Sequence, residues 1–174
     1  KFYGVTNKGG NYNGGVIFEW RPSTNVFIKK FDFDFTKGSY PIGDLTLYRG
    51  RFYGMTSEGG GTGKGVIFEW NPVTNIFYKK KDFNGLDGSN PHGGLTMLNG
   101  DFYGTANEGG INNKGVIFKW NPLTNAYSKR FDLTKIQGAN PEGNLVFYGE
   151  KFYGMTPIGG INPGDPEDAP HGQI

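Results

Sequence analysis

A repeat of 50 residues, uninterrupted through its first three copies, limits this chain more than any other feature. Gly15-Val16-Ile17-Phe18-Glu19-Trp20, Gly65-Val66-Ile67-Phe68-Glu69-Trp70 and Gly115-Val116-Ile117-Phe118-Lys119-Trp120 return at that spacing. Each runs into a turn containing Pro22, Pro72 or Pro122 and closing on Thr-Asn. A β-branched and aromatic run, a Pro/Asn turn and a second aromatic run spell a β-hairpin. Similarity at a fixed long period marks an architecture in which each unit buries its apolar surface against the next.

The rest of the copy reads the same way. Gly94-Leu95-Thr96-Met97-Leu98 predicts a strand, Asn99-Gly100 a two-residue turn and Asp101-Phe102-Tyr103-Gly104-Thr105 its partner. Asn-Gly supplies the positive φ values that a tight hairpin requires. Arg49-Gly50 and Gly149-Glu150 hold that place with weaker turn chemistry. Paired glycines ending in Gly10, Gly60, Gly110 and Gly160 open a long loop, for which backbone turning is a better account than a phosphate cradle. A loop with Pro41, Pro91 or Pro141 returns the chain to the next copy. With no helical periodicity, the expectation is an all-β, β-propeller-like array of four-stranded antiparallel blades, an incomplete ring or a fragment of a larger one. Val66-Ile67-Phe68 has no polar residue between its apolar ones, so both faces need cover, which stacked blades would supply. A β-solenoid is the alternative, with shorter periods and parallel strands. The expected organisation is a partial blade over 1–35, full blades over 44–85 and 94–135, a partial blade over 144–162, and an expanded Pro/Asp-rich loop or tail over 163–174. Opening inside a repeat at Lys1-Phe2-Tyr3-Gly4, the sequence reads as a piece of something longer.

Composition narrows the function classes. Fifteen Phe, ten Tyr and three Trp provide large rings to bury where aliphatic residues are few. Eighteen basic and sixteen acidic residues, spread along the chain, are too balanced for a nucleic-acid footprint. No run reaches the length of a membrane span. Lys79-Lys80-Lys81, with Lys29-Lys30 and Lys129-Arg130, reads as strand charges that discourage edge pairing, or as an anion or polysaccharide contact.

The recurring Phe-Tyr-Gly, paired Gly, Gly-Val-Ile-Phe-Glu-Trp-Asn-Pro and Gly-Ser-Asn-Pro-His-Gly-Gly-Leu segments resemble the bacterial GloVer tandem repeat over about residues 1–162. Their strand order also looks like that of kelch blades. The resemblance implies secreted or cell-surface bacterial proteins, often from Bacteroidetes. It also implies export with a C-terminal sorting or anchoring domain, as for type IX secretion cargo or choice-of-anchor proteins.

Candidate chemistry is sparse. With no Cys, and with His92 and His171 in non-equivalent loops, neither a Cys/His pair nor a spaced metal cluster forms by local motif. Asp32, Asp82 and Asp132 recur at one position and suit either backbone N–H acceptance in a turn or calcium binding. His171 with Asp165, Glu167 or Asp168 could take an adventitious metal. Trp20, Trp70 and Trp120 suit packing between blades or a stacking platform for sugars, and Tyr12, Tyr40 and Tyr78 are candidates for carbohydrate contact. The expected function is a non-catalytic scaffold or adhesion surface for a protein or glycan partner, with no cofactor beyond calcium. A polysaccharide-active enzyme using two of Asp44, Glu58, Glu108 and Glu142 is an alternative. So is a self-assembling filament unit whose repeat ends another copy completes.

Overall fold

The computed structural model describes residues 1–160 and is all-β, with no helix among them. The tail expected over 163–174, with His171 and its acidic neighbours, lies outside the described residues.

Among the described residues thirteen strands form four antiparallel sheets. The first sheet holds β1 (Phe2–Thr6), β2 (Val16–Arg21) and β3 (Val26–Asp32). The second runs β4 (Thr46–Tyr48), β5 (Arg51–Thr56), β6 (Val66–Trp70) and β7 (Phe77–Asp82). The third repeats it as β8 (Thr96–Leu98), β9 (Asp101–Ala106), β10 (Val116–Trp120) and β11 (Tyr127–Asp132). The fourth pairs β12 (Glu142–Tyr148) with β13 (Lys151–Met155). Asn99 and Gly100 take φ of 52° and 86°, the double positive φ expected of Asn-Gly, and Arg49-Gly50 and Gly149-Glu150 adopt it too.

Register repeats with the sequence. Trp20, Trp70 and Trp120 lie opposite Phe2, Phe52 and Phe102, and Phe18, Phe68 and Phe118 opposite Gly4, Gly54 and Gly104. Those glycines are required by approach rather than by φ: a Cβ on Gly54 would stand 2.7 Å from Phe68 Cζ. One residue of each outer strand, Lys30, Lys80 or Arg130, is left without a partner by a register shift, which is a β-bulge.

Consecutive sheets stack through rings. Tyr3 of the first sheet meets Phe52 at 5.0 Å and Trp70 at 5.4 Å in the second, and Phe31 stacks on Phe77 at 4.1 Å. Tyr53 meets Phe102 and Trp120 of the third at 5.0 and 5.9 Å, and Tyr103 meets Phe152 of the fourth at 4.5 Å. Burial of Tyr53, reinforced by the nearby Glu69 carboxylate, pushes its phenol up to about 12. Trp70, Trp120, Phe68, Phe102 and Phe118 are fully buried as a result, so the core lies between sheets. The bulges add a polar clasp. Asn75, at φ 59°, accepts the Trp70 indole N–H at 3.1 Å and donates at 2.9 Å to the carbonyl of bulged Lys30 in the preceding sheet. Asn125 repeats this with Trp120 and the Lys80 carbonyl at 2.9 and 3.0 Å.

At the inner edge the sheets converge. Asn144 donates to Asp44 at 2.8 Å, across two repeats, and accepts the Gly94 N–H at 2.5 Å. The Thr46 hydroxyl donates to the Leu95 carbonyl at 2.6 Å.

Candidate functional site

In a meander, alternate connections fall on opposite faces. The tight turns after β4, β6, β8 and β10 share one face with Pro22, Pro72 and Pro122, and the long loops share the other. On the loop face, a cavity of about 450 Å³ is lined by Asn7, Lys8, Tyr40, Ile42, Ser57, Glu58, Asn90 and His92. Asn7 and Lys8 follow β1, Ser57 and Glu58 follow β5, and the remainder come from the connections into β4 and β8. Equivalent positions of successive repeats therefore furnish the two sides.

Backbone bonds hold this cleft in shape. Ser39 and Glu58 exchange N–H to carbonyl bonds at 2.8 and 3.1 Å. The Tyr40 carbonyl accepts both the N–H and the hydroxyl of Ser57, at 3.1 and 2.8 Å, while the Tyr40 N–H donates to Gly14 at 2.8 Å. Asn90 does the same one repeat later, donating to the Lys64 carbonyl at 3.0 Å and accepting the Asn107 N–H at 3.2 Å. Tyr40 and Asn90 sit at φ of 55° and 53°, and the Tyr40 ring lies edge-on to Phe35 at 5.7 Å. His92 Nδ1 stands 3.6 Å from a Glu142 carboxylate oxygen at the rim.

The lining balances one lysine against one carboxylate and otherwise offers amide, hydroxyl and phenol groups. It can donate and accept hydrogen bonds and present a ring. A glycosidase pair needs a second carboxylate facing the first across a substrate-sized gap. Of the four acidic candidates Glu58 lines the cleft; Asp44 is bonded to Asn144 at the inner edge, Glu108 repeats the Glu58 backbone pairing one copy later with Ser89, and Glu142 stands at the rim beside His92.

The other sequence candidates separate by place. Tyr12 and Tyr78 are exposed but lie apart from the cleft, on a long loop and on outer strand β7. Trp70 and Trp120 are fully buried and leave no face for a sugar, whereas Trp20 in the first sheet is 37% exposed. Asp32, Asp82 and Asp132 each accept a loop N–H, from Asn11, Gly61 and Ile111 at 2.9, 2.8 and 2.8 Å. Each also pairs with a lysine three residues earlier, Lys29, Lys79 or Lys129. Desolvation works to raise the Asp32 and Asp132 carboxyls, but the lysine and backbone bonds outweigh it and hold both below the ordinary value. The second glycines of the pairs fit against this arrangement: a Cβ on Gly10, at φ 77°, would stand 2.3 Å from Asp32 Oδ1. Among the described residues no group of three or more His, Cys, Asp or Glu could hold a metal ion.

Sequence reasoning missed two sets. One is the Asn25, Asn75 and Asn125 series, whose signal was a Trp five residues before each Asn. The other is a charge pair across the second and third strands of each repeat: Lys1 with Glu19, Arg51 with Glu69, and, inverted, Asp101 with Lys119. Its signal was the simultaneous change of sign in the third copy.

The repeat pattern that builds these positions matches the model of the Gloeobacter/Verrucomicrobia repeat over residues 1–164. The chain belongs to that repeat family. No curated protein matches it. No helix of the described residues is long and apolar enough to cross a membrane.

Proposed function

We propose that this Gloeobacter/Verrucomicrobia repeat segment is a non-catalytic binding module of an exported or cell-surface protein. In this reading its sheets are kelch-like blades of a propeller array, and its loop face binds a glycan. The observation that carries the proposal is the cleft shared by successive repeats, with Asn7, Lys8, Tyr40, Ser57, Asn90 and His92 directed to one volume. Its size falls within the range of small-ligand sites. Its mix of amide, hydroxyl and ring, with lysine and glutamate offsetting each other, suits a neutral polyhydroxylated ligand better than a phosphate or a nucleic acid. The single lining carboxylate favours binding over hydrolysis.

The test is a glycan array probed with the chain, followed by titration of the strongest ligand. Tyr40→Ala and His92→Ala are expected to weaken that ligand at least about tenfold, the loss of one well-placed contact. Trp20→Ala, remote from the cleft, should leave affinity unchanged. Release of reducing ends from the bound glycan would refute the non-catalytic reading. Binding indifferent to the cleft variants would refute the site.

A further inference from the structure

The loop-face cleft includes the step at which Ser57 faces Asn90-Pro91, and the equivalent step one repeat later is filled by the chain itself. A Cβ on Gly65 would meet the Ser57 carbonyl and Pro91 Cδ, each at 3.0 Å, and a Cβ on Gly115 would meet the Asn107 carbonyl at 2.9 Å and Pro141 Cδ at 2.7 Å. The backbones match, but the side chains do not. The Asn107 carboxamide crosses its step, donating to the Asn140 carbonyl at 3.1 Å and the Pro141 carbonyl at 3.3 Å. Asn140 donates in return to the Asn107 carbonyl at 3.1 Å, and the same amide nitrogen stands 3.5 Å from Asn107 Oδ1. Ser57 has no carboxamide to send across, and its hydroxyl turns back to the Tyr40 carbonyl at 2.8 Å. Ser57 and Asn90 both line the cleft. The Asn90 carbonyl accepts the Asn107 N–H at 3.2 Å, which leaves one of its two lone pairs for a ligand. This step lies inside the described residues, with Tyr40 bonded to Ser57 on one side and Asn107 bonded to Asn90 on the other.

We infer that the cleft selects sugars carrying an acetamido group, which takes the place of the carboxamide that Ser57 lacks; this rests on the glycan reading of the loop face. The acetamido N–H would donate to the Asn90 and Pro91 carbonyls as the Asn107 amide does to Asn140 and Pro141. Its oxygen would accept from the Asn90 amide, in the position of Asn107 Oδ1. A secondary amide offers one donor and one acceptor held apart, which is the pairing this step requires. A hydroxyl at that ring position reaches only one side, and an ammonium supplies no acceptor. A site arranged to pair a ligand N–H rejects the analogue that lacks it, because its own polar groups then lose their partners. Ser57 is the specificity-determining residue, since its short side chain keeps the step open.

The test titrates matched sugars into the chain by calorimetry: β-linked trimers of N-acetylglucosamine, glucosamine and glucose, which differ only in the group replacing one ring hydroxyl, with N-acetylgalactosamine against galactose as a second pair. At least one acetylated sugar is expected to bind about tenfold or more tighter than its unacetylated counterparts, the effect of two added hydrogen bonds. Ser57→Asn should keep its melting temperature and bind that sugar at least about tenfold weaker, because the new carboxamide fills the step as Asn107 does. Asn90→Asp keeps the shape of the side chain and removes its N–H donors, so it should erase the preference for the acetylated form. Glycans bound without that preference, or a preference that survives either variant in folded form, overturn the inference and leave glycan binding standing. A folded chain that binds no glycan overturns both. An asparagine-bearing peptide that binds more tightly than every acetylated sugar assigns the step to a protein ligand and also overturns the inference.

Discussion

Replacing Asn75 and Asn25 by glycine separates what the clasp does within a sheet from what it does between sheets. Both asparagines hold positive φ, at 59° and 54°, so glycine removes the side chain without straining the turn. Asn25 accepts the Trp20 indole at 3.2 Å, but Trp20 is 37% exposed and water can replace that acceptor. The expected cost of Asn25→Gly is below about 1 kcal/mol. Asn75 accepts the indole of Trp70, which is fully buried, and also ties the Lys30 carbonyl of the preceding sheet. Losing the buried N–H partner costs about 1–3 kcal/mol and losing the second bond about 0.5–1.5 kcal/mol. Asn75→Gly is therefore expected to destabilise by about 1.5–4.5 kcal/mol, with Asn75→Ala worse by the left-handed strain. Urea unfolding followed by tryptophan fluorescence and far-ultraviolet dichroism together gives both numbers in one background. Equal losses for Asn25→Gly and Asn75→Gly would refute the idea that the bulged carbonyl is read by the next repeat.

Three further outcomes follow from the same geometry. Glu69→Lys should lower the melting temperature by leaving Arg51 beside a lysine, and Arg51→Asp added to it should recover most of the loss by recreating the Asp101–Lys119 arrangement; a double variant no better than the single would remove the charge pair from the account. Acid should weaken the fold through Asp32 and Asp132: with folded pKa values lowered below 3.8, their contribution is complete above that value and is lost as pH falls from it through the folded values. Asp32→Asn with Asp132→Asn should flatten the stability profile in that window, and an unchanged acid limb would count against the turn role. Rewriting Gly149-Glu150 as Asn-Gly should stabilise by about 1 kcal/mol, because Glu150 now sits at φ 68° where glycine carries no Cβ penalty; a melting temperature that falls would contradict it.

Much of the fold was legible because local and repeated signals agreed. Asn99-Gly100, the Val-Ile-Phe runs and the Pro turns each state a backbone conformation within a few residues, and the 50-residue period repeats the statement. What lay beyond reach depended on which repeat stands next to which. Trp20 and Trp70 have identical local sequence, Phe-Glu-Trp, yet differ in exposure because Tyr3 covers Trp70 from the adjoining sheet. The cleft was hidden for a related reason. Its residues come from positions 7–8, 40–42, 57–58 and 90–92, which are distant in sequence and vary between copies, so periodicity marks their backbone and says nothing of their side chains. The charge pair was visible in principle, since residues 101 and 119 reverse sign together relative to 51 and 69, but only the register of β5 with β6 and of β9 with β10 shows that they meet.

The hydrogen bond from Asn144 to Asp44 spans two repeats at the inner margin, and a Cβ on Gly43 or Gly93 would stand 2.1 Å from the backbone oxygen of the following copy. Units that approach so closely have no room for even a methyl group at either glycine, so a side chain there would have to push neighbouring copies apart along the whole inner margin.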